Sequence, residues 1–288
     1  MIYDCFIFYN ELELLELRLN ELAGVVDKFV LVEATQTHSN KPKPLYYQEN
    51  RARFSGFHDK IVHVVMNDLP KSPDAFEVER FHRNGIERGL KNCRPDDWIL
   101  VSDLDEIPRP SVVQQLAKDV PFNDQLFTNL GHDLLNSAFV KFIFYRRGLR
   151  RRLRRNHPFI WRFEQSLYRY FLNCRSNHVS FGSRMARYRD FSCAEEMRHS
   201  GYKTVKDAGW HFTYMGGGER IVDKLRAFSH QEFNRAEFTD VQRITELINQ
   251  GETLFGKNEQ LTFVPLDKSF PEYVQMHPDK FAGWIKPV

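Results

Sequence analysis

The residues of this sequence best suited to chemistry are three carboxylates at the end of an apolar run. The run reads Asp97-Trp98-Ile99-Leu100-Val101-Ser102-Asp103-Leu104-Asp105-Glu106-Ile107-Pro108. In open α/β folds ligands bind beyond the carboxyl ends of the strands, which is where this run delivers its acids. Asp103 and Asp105 are two apart and share a face of extended chain. A turn after the strand would aim both at one ion. Hard carboxylate oxygens suit Mg²⁺ or Mn²⁺, which keep positions for water and substrate phosphates. A metal held there can neutralise a diphosphate leaving group. In the bland alternative, an Asp-rich turn simply caps the next helix.

Further candidates are scattered along the chain. Arg83 and Asn84 lie on a helical stretch just before the carboxylate-tipped strand and could face a nucleotide at the sheet edge. Composition alone favours a solvated polar helix face for them. Asn10 could touch a nucleoside or act as an N-cap, with Glu13 three residues on as in a capping box. Glu33 ends a second apolar run at the same expected edge, or is an exposed loop acid. His211 could complete a Mn²⁺ site, or be a core histidine between Trp210 and Phe212. Gly216-Gly217-Gly218 before a helix could offer backbone N–H groups to phosphate. Lys224 and His230 on that helix would add positive charge. Arg146, Arg147, Arg150, Arg151, Arg152, Arg154 and Arg155 fall within ten positions. They suit an anionic surface or phosphorylated acceptor, or form a solvated loop.

The elements that must position these residues alternate between strand and helix patterns. Tyr3–Tyr9, Val25–Val32, Ile61–Met66 and Trp98–Ser102 are short apolar runs. Leu12, Leu15, Leu19 and Leu22 repeat at helical spacing. Ala75–Leu90, between Pro73 and Pro95, reads as a second helix. Runs that do not alternate suggest strands covered on both faces, as in a parallel sheet. The expected class is therefore α/β, with a mostly parallel central sheet flanked by helices. In the second half, Gln125–Leu130, Val140–Arg146 and Trp210–Met215 read as strands, and Glu219–Phe228 and Thr239–Asn249 as helices. The last thirty residues, with Pro265, Pro271, Pro278 and Pro287, read as an irregular tail.

Composition narrows the classes. The 288 residues are 42% hydrophobic and 27% charged, ordinary for a globular chain. We read them as one domain, residues 1–120 forming a nucleotide- and metal-binding half and 121–288 an acceptor half with the tail. The net charge of +3 is too mild to argue for nucleic acid. Cys5, Cys93, Cys174 and Cys193 show no C-x-x-C spacing, so free thiols are expected. No apolar window spans a membrane and the first residues read as a strand, which gives cytoplasmic, with a possible peripheral membrane contact, as the expected location. Motifs of α/β-hydrolases, zincins, P-loop NTPases and dinucleotide enzymes are absent.

Taken together, several segments resemble glycosyltransferase family 17. They are Asn10 to Leu22, Val25 to Glu33, Lys41-Pro42-Lys43-Pro44-Leu45, Arg94 to Pro108, and Gly209-Trp210-His211, in the family's order. The Arg83-Asn84 helix before D-x-D also resembles the layout of GT-A sugar-nucleotide transferases. The resemblance implies a GT-A-like fold, a UDP-linked sugar donor (most readily UDP-GlcNAc), Mn²⁺ or Mg²⁺, and inverting transfer to a glycan hydroxyl. It places Asp103 and Asp105 on the metal-diphosphate, with His211 as a further contact. It makes Asn10, Glu33, Arg83, Asn84, Asp103 and Lys224 donor-binding candidates. Glu106 and Asp133 are the candidates for the base that takes the acceptor proton. No motif of Leu126 to Phe191 matches, so the acceptor is open. The rival readings are a nucleotidyltransferase on the same carboxylates, a non-catalytic polyanion-binding module using the arginine run, and a glycoside hydrolase, which also needs paired carboxylates.

Overall fold

The computed structural model describes residues 1–118, 159–201, 203–255 and 258–288. The expected strands Gln125–Leu130 and Val140–Arg146, the base candidate Asp133 and the arginine run Arg146–Arg155 lie outside the described residues. Among those described, no helix is long and apolar enough to cross a membrane.

The first half folds much as its periodicity dictates. Strand β1 (Ile2–Phe8) is followed by helix α1 (Leu12–Leu22), β2 (Lys28–Ala34), the short helix α2 (Tyr46–Glu49), β3 (Ile61–Met66) and α3 (Ala75–Asn84). Helix α3 is capped by Asp74, whose carboxylate accepts the Phe76 N–H at 2.9 Å, and gives way to a 3₁₀ turn at Gly85–Gly89. Then come β4 (Trp98–Val101), β5 (Glu106–Pro108) and α4 (Pro110–Ala117). The expected capping box at Asn10 is not formed. Glu11 occupies the N-cap position without a side-chain cap bond, and the Glu13 carboxylate pairs with Arg53 and Arg220 instead.

The second half contributes β6 (Ile160–Phe163), β7 (Gln165–Arg169), β8 (Cys174–Ser180), β9 (Arg184–Arg187), α5 (Ala194–His199), β10 (Lys203–Val205), β11 (Gly209–Thr213), α6 (Gly217–Ala227) and α7 (Val241–Gln250). The tail is less irregular than its prolines suggest. It adds β12 (Leu261–Phe263) and α8 (Glu272–Met276), and α8 packs against α1.

Among the described residues two sheets form, one in the order β10-β6-β9-β4-β1-β2-β3 and one in the order β12-β8-β7-β11-β5. The α/β class holds and is consistent with a GT-A-like fold, but the parallel character is only partial. Pairs β1–β2, β1–β4, β2–β3, β6–β10 and β7–β11 are parallel, whereas β9 runs antiparallel to both β4 and β6. Short links enforce antiparallel pairing only between β7 and β8, which residues 170–173 separate, since a parallel pair needs a crossover of a dozen or more residues.

Burial follows the pleat. On β1, Asp4, Phe6 and Phe8 face helix α1 and its buried Leu14, Leu15, Leu19 and Leu22. Tyr3 and Cys5 face the other side, where Val78, Ile86 and Met197 cover them. After β1 the chain winds to β2 and β3 on one side, then returns to place β4 on the other. The carboxyl ends of β1 and β4 therefore flank a switch point, the position where ligand crevices open in such sheets.

Candidate active site

Residues 102–105 link β4, in the larger sheet, to β5, in the smaller. The Ser102 N–H still donates to the Cys5 carbonyl of β1 at 3.2 Å, and the Glu106 N–H closes the turn on the Asp103 carbonyl at 3.1 Å. Glu106 reaches back to accept the Asp103 N–H at 2.9 Å. The turn is thus tied to the central strand on one side and to its own carboxylate on the other.

A cavity of about 730 Å³ opens over this turn. Asp103, Asp105 and Glu106 line it, with Glu11, Lys43, Arg83, Arg198, His211, Tyr214 and Lys224. Each carboxylate of the turn has a cationic partner. Asp103 lies between Arg198 (2.6 Å) and Arg83 (3.3 Å). Burial alone would raise its pKa, but Arg198 and Arg83 outweigh that and hold it below the usual carboxylate range. Glu106 is forked by Arg198 at 2.7 and 3.0 Å. Asp105 accepts Lys224 Nζ at 2.8 Å and has His211 Nε2 at 3.4 Å. Burial pushes its carboxyl up, and Lys224 and His211 more than reverse this, so it stays ionised. The Lys224 ammonium is held protonated in turn, burial being outweighed by Asp105 and Glu11. His211 is raised too, Asp105 winning over desolvation.

Lys224 reaches Asp105 because the chain reverses sharply after β11. Tyr214 takes a left-handed φ of 60°, uncommon and strained for a bulky side chain. Gly216 and Gly217 follow at φ 95° and 86°, where glycine carries no Cβ penalty. Gly218 then lets α6 close on α7, since a Cβ there would lie 2.7 Å from Thr245 Oγ1. The glycine run is a turn and a packing contact. It does not line the cavity, so it is not the phosphate cradle that its sequence allowed.

Does this constellation fit the divalent ion that the resemblance implies? His211 Nδ1 is held by Ser180 Oγ at 2.9 Å, which leaves Nε2 and Asp105 Oδ1 facing each other across 3.4 Å. A carboxylate oxygen and an imidazole nitrogen facing one point fit Mn²⁺ better than Mg²⁺, which takes an all-oxygen shell. Two protein ligands suffice for an ion that completes its shell with phosphate and water. Among the described residues no third His, Cys, Asp or Glu joins them. Asp103 and Asp105 share no partner here: both Asp103 oxygens pair with arginines, and Asp105 pairs with Lys224 and His211.

Other expected residues are redistributed. Arg83 lines the cavity, but its guanidinium also binds Glu79 and Glu195. Asn84 does not line it. Its Oδ1 accepts the Glu195 N–H at 3.0 Å and fixes the start of α5. Glu33 is fully buried below the cavity, accepting the Tyr47 N–H at 2.9 Å, with His63 at 3.1 Å and Lys43 at 3.9 Å. Glu33 itself does not line the cavity, whereas its neighbour Lys43 does. Asn10 borders a separate small recess. His230 joins Phe76 and Phe228 at an aromatic end of the cavity. The cavity also takes in Arg198, Glu79, Glu195 and the hydrogen-bonded pair His38–His82 (3.1 Å), which no sequence pattern singles out. Nothing local marks Arg198, which meets Asp103 across 95 residues.

Comparison with known proteins agrees with the motifs. Residues 1–141 match the family model of glycosyltransferase family 17. The β-1,4-mannosyl-glycoprotein 4-β-N-acetylglucosaminyltransferases of Homo sapiens and Rattus norvegicus are each 33% identical over 108 residues, and that of Mus musculus is 32% identical. Each alignment takes in 34% of this chain, and spans only 20% of the relative's length. The resemblance to family 17 therefore holds for the first half of the chain, which carries β1 to β5 and the Asp103–Asp105 turn.

Proposed function

We propose that the chain is a metal-dependent inverting glycosyltransferase that moves GlcNAc from UDP-GlcNAc to a hydroxyl of a glycan acceptor. The observation that carries this reading is the meeting of Asp105, His211 and Lys224 in a cavity at the carboxyl ends of β1 and β4. The names of the family 17 relatives supply the sugar and the acceptor class; the resemblance supplies the UDP-linked donor.

Asp105 and His211 would hold Mn²⁺ or Mg²⁺, whose chemistry when bound is to neutralise the departing diphosphate. Lys224 brings a fixed ammonium to the same place, and Ser180 keeps the His211 ring oriented. Preorganised charge of this kind stabilises a leaving group at little reorganisation cost. Glu106 is a poor base, since Arg198 and the Asp103 amide occupy its oxygens. In this reading Glu106 shapes the turn, and the proton goes to another carboxylate; Asp133, the second candidate, lies outside the described residues.

The test is calorimetry of UDP with Mn²⁺ and again with EDTA, on wild type and Asp105→Ala. Metal-dependent binding that the variant loses, followed by UDP release from UDP-GlcNAc with a glycan acceptor, is the expected result. Absence of nucleotide binding in every condition overturns the reading. Pyrophosphate release from UTP would make the chain a nucleotidyltransferase.

A further inference from the structure

Helix α1 carries a charge on its buried face. Arg18 is fully buried in the same helix as Leu14, Leu15, Leu19 and Leu22, and its guanidinium carbon lies 4.7 Å from the Phe6 ring centroid. A buried guanidinium is costly unless its N–H groups find partners. Here Nε and Nη2 grip the two oxygens of buried Asp4 at 2.8 and 2.6 Å. Nη2 also donates to Ser102 Oγ at 2.5 Å. Nη1 faces the backbone carbonyls of Asp103, Leu104 and Glu106 at 2.9, 3.1 and 3.0 Å.

Three carbonyl oxygens within four residues converge on one nitrogen. Without a cation such oxygens repel one another. We propose that Arg18 is the positioning residue of this site, drawing the backbone of residues 103–106 inward so that the Asp103 and Asp105 carboxylates stand out into the cavity. Asp4 anchors the guanidinium to β1, so one side chain sets the turn against the central strand. Lysine cannot replace it, because a single ammonium offers three donors and no planar fork. The consequence for activity rests on the transferase reading; the anchoring of the turn does not.

The experiment compares the full chain carrying Arg18→Lys with a second variant, Asp4→Leu/Arg18→Met. The second replaces the buried pair by apolar side chains, a change that often preserves stability. Leu22→Ala, on the same helix, is the control for general destabilisation. Amide hydrogen exchange is followed at Asp103 and Glu106, with β2 as internal reference, and UDP affinity is measured with Mn²⁺. Both Arg18 variants are expected to exchange about tenfold faster at those two amides while β2 is unchanged. Their UDP affinity is expected to fall by about tenfold, and kcat by up to roughly a hundredfold, as misplacement of about 1 Å can cause. Leu22→Ala should leave both readouts near wild type. Unchanged exchange at Asp103 and Glu106 in both Arg18 variants, or an equal loss in Leu22→Ala, overturns the proposal. If wild type binds no UDP, the transferase reading fails separately and the exchange measurement decides the positioning claim by itself.

Discussion

Gly182→Ala tests how rigidly the turn of residues 102–106 is built. A Cβ at position 182 would lie 1.5 Å from Glu106 Oε1, 1.9 Å from Cδ and 2.2 Å from Oε2. The backbone there is not left-handed, so the penalty is steric. A flexible neighbour would simply move, but Glu106 cannot do so cheaply. It is 2% exposed, forked by Arg198 and bonded to the Asp103 N–H. Overpacking alone costs about 1–3 kcal/mol. Breaking a buried charge pair costs about 3–5 kcal/mol. The two overlap, and Arg198 keeps Asp103 as a partner, so the expected loss is about 3–5 kcal/mol in all. The assay is equilibrium denaturant unfolding of wild type, Gly182→Ala, Glu106→Ala and the double variant. On the Glu106→Ala background the added methyl should cost less than about 1 kcal/mol, because the clashing atoms are gone. A Gly182→Ala chain within about 0.5 kcal/mol of wild type would refute the argument, since surface-like tolerance means that Glu106 is not locked.

Three further outcomes follow from the same geometry. Lys224→Met removes the cation 2.8 Å from Asp105 and should weaken UDP binding by about tenfold or more; unchanged affinity by calorimetry would remove Lys224 from the donor site. His38 and His82 should make stability fall with pH. Burial lowers the His38 pKa to about 4, with Arg83 and Lys43 adding to it against Glu79 and Asp103, and burial also lowers His82 well below its ordinary value. Both imidazoles thus stay neutral in the folded chain while the unfolded chain takes up protons below about pH 6.5. Stability should be full above that pH and decline toward pH 4, by no more than about 3 kcal/mol for His38. Unfolding midpoints that stay flat between pH 6.5 and 5 would contradict this. Asp74→Ala removes the N-cap of α3 and should cost about 1 kcal/mol in denaturant unfolding; no measurable loss would show the cap to be dispensable.

Much of the first half was legible because its signals are local. Four apolar runs became β1 to β4, with Ile61–Met66 matching to the residue. The leucine spacing became α1, and the carboxylates after Val101 line the cavity at the carboxyl ends of the strands. Boundary errors arose where a turn competes with a helix, as at Gly85, where α3 tightens into a 3₁₀ segment. Arg18 left a faint signal, an arginine in register with Leu14 and Leu22 on the apolar stripe, and only the fold shows that it is buried.

From sequence alone came the α/β class, the resemblance to family 17 and the carboxylate segment that lines the cavity. These depend on periodicity and on the order of short motifs, which residues close in the chain determine. Tertiary structure alone decided the mixed sheets, the burial of Glu33 and the partners of Arg18 and Arg198. It also separated Asp103, held by arginines, from Asp105, which meets His211 and Lys224. Those outcomes turn on which distant charges reach each carboxylate. A pattern two residues wide cannot encode a partner 95 positions away, and the pairing energy exists only once both groups are desolvated in one cavity.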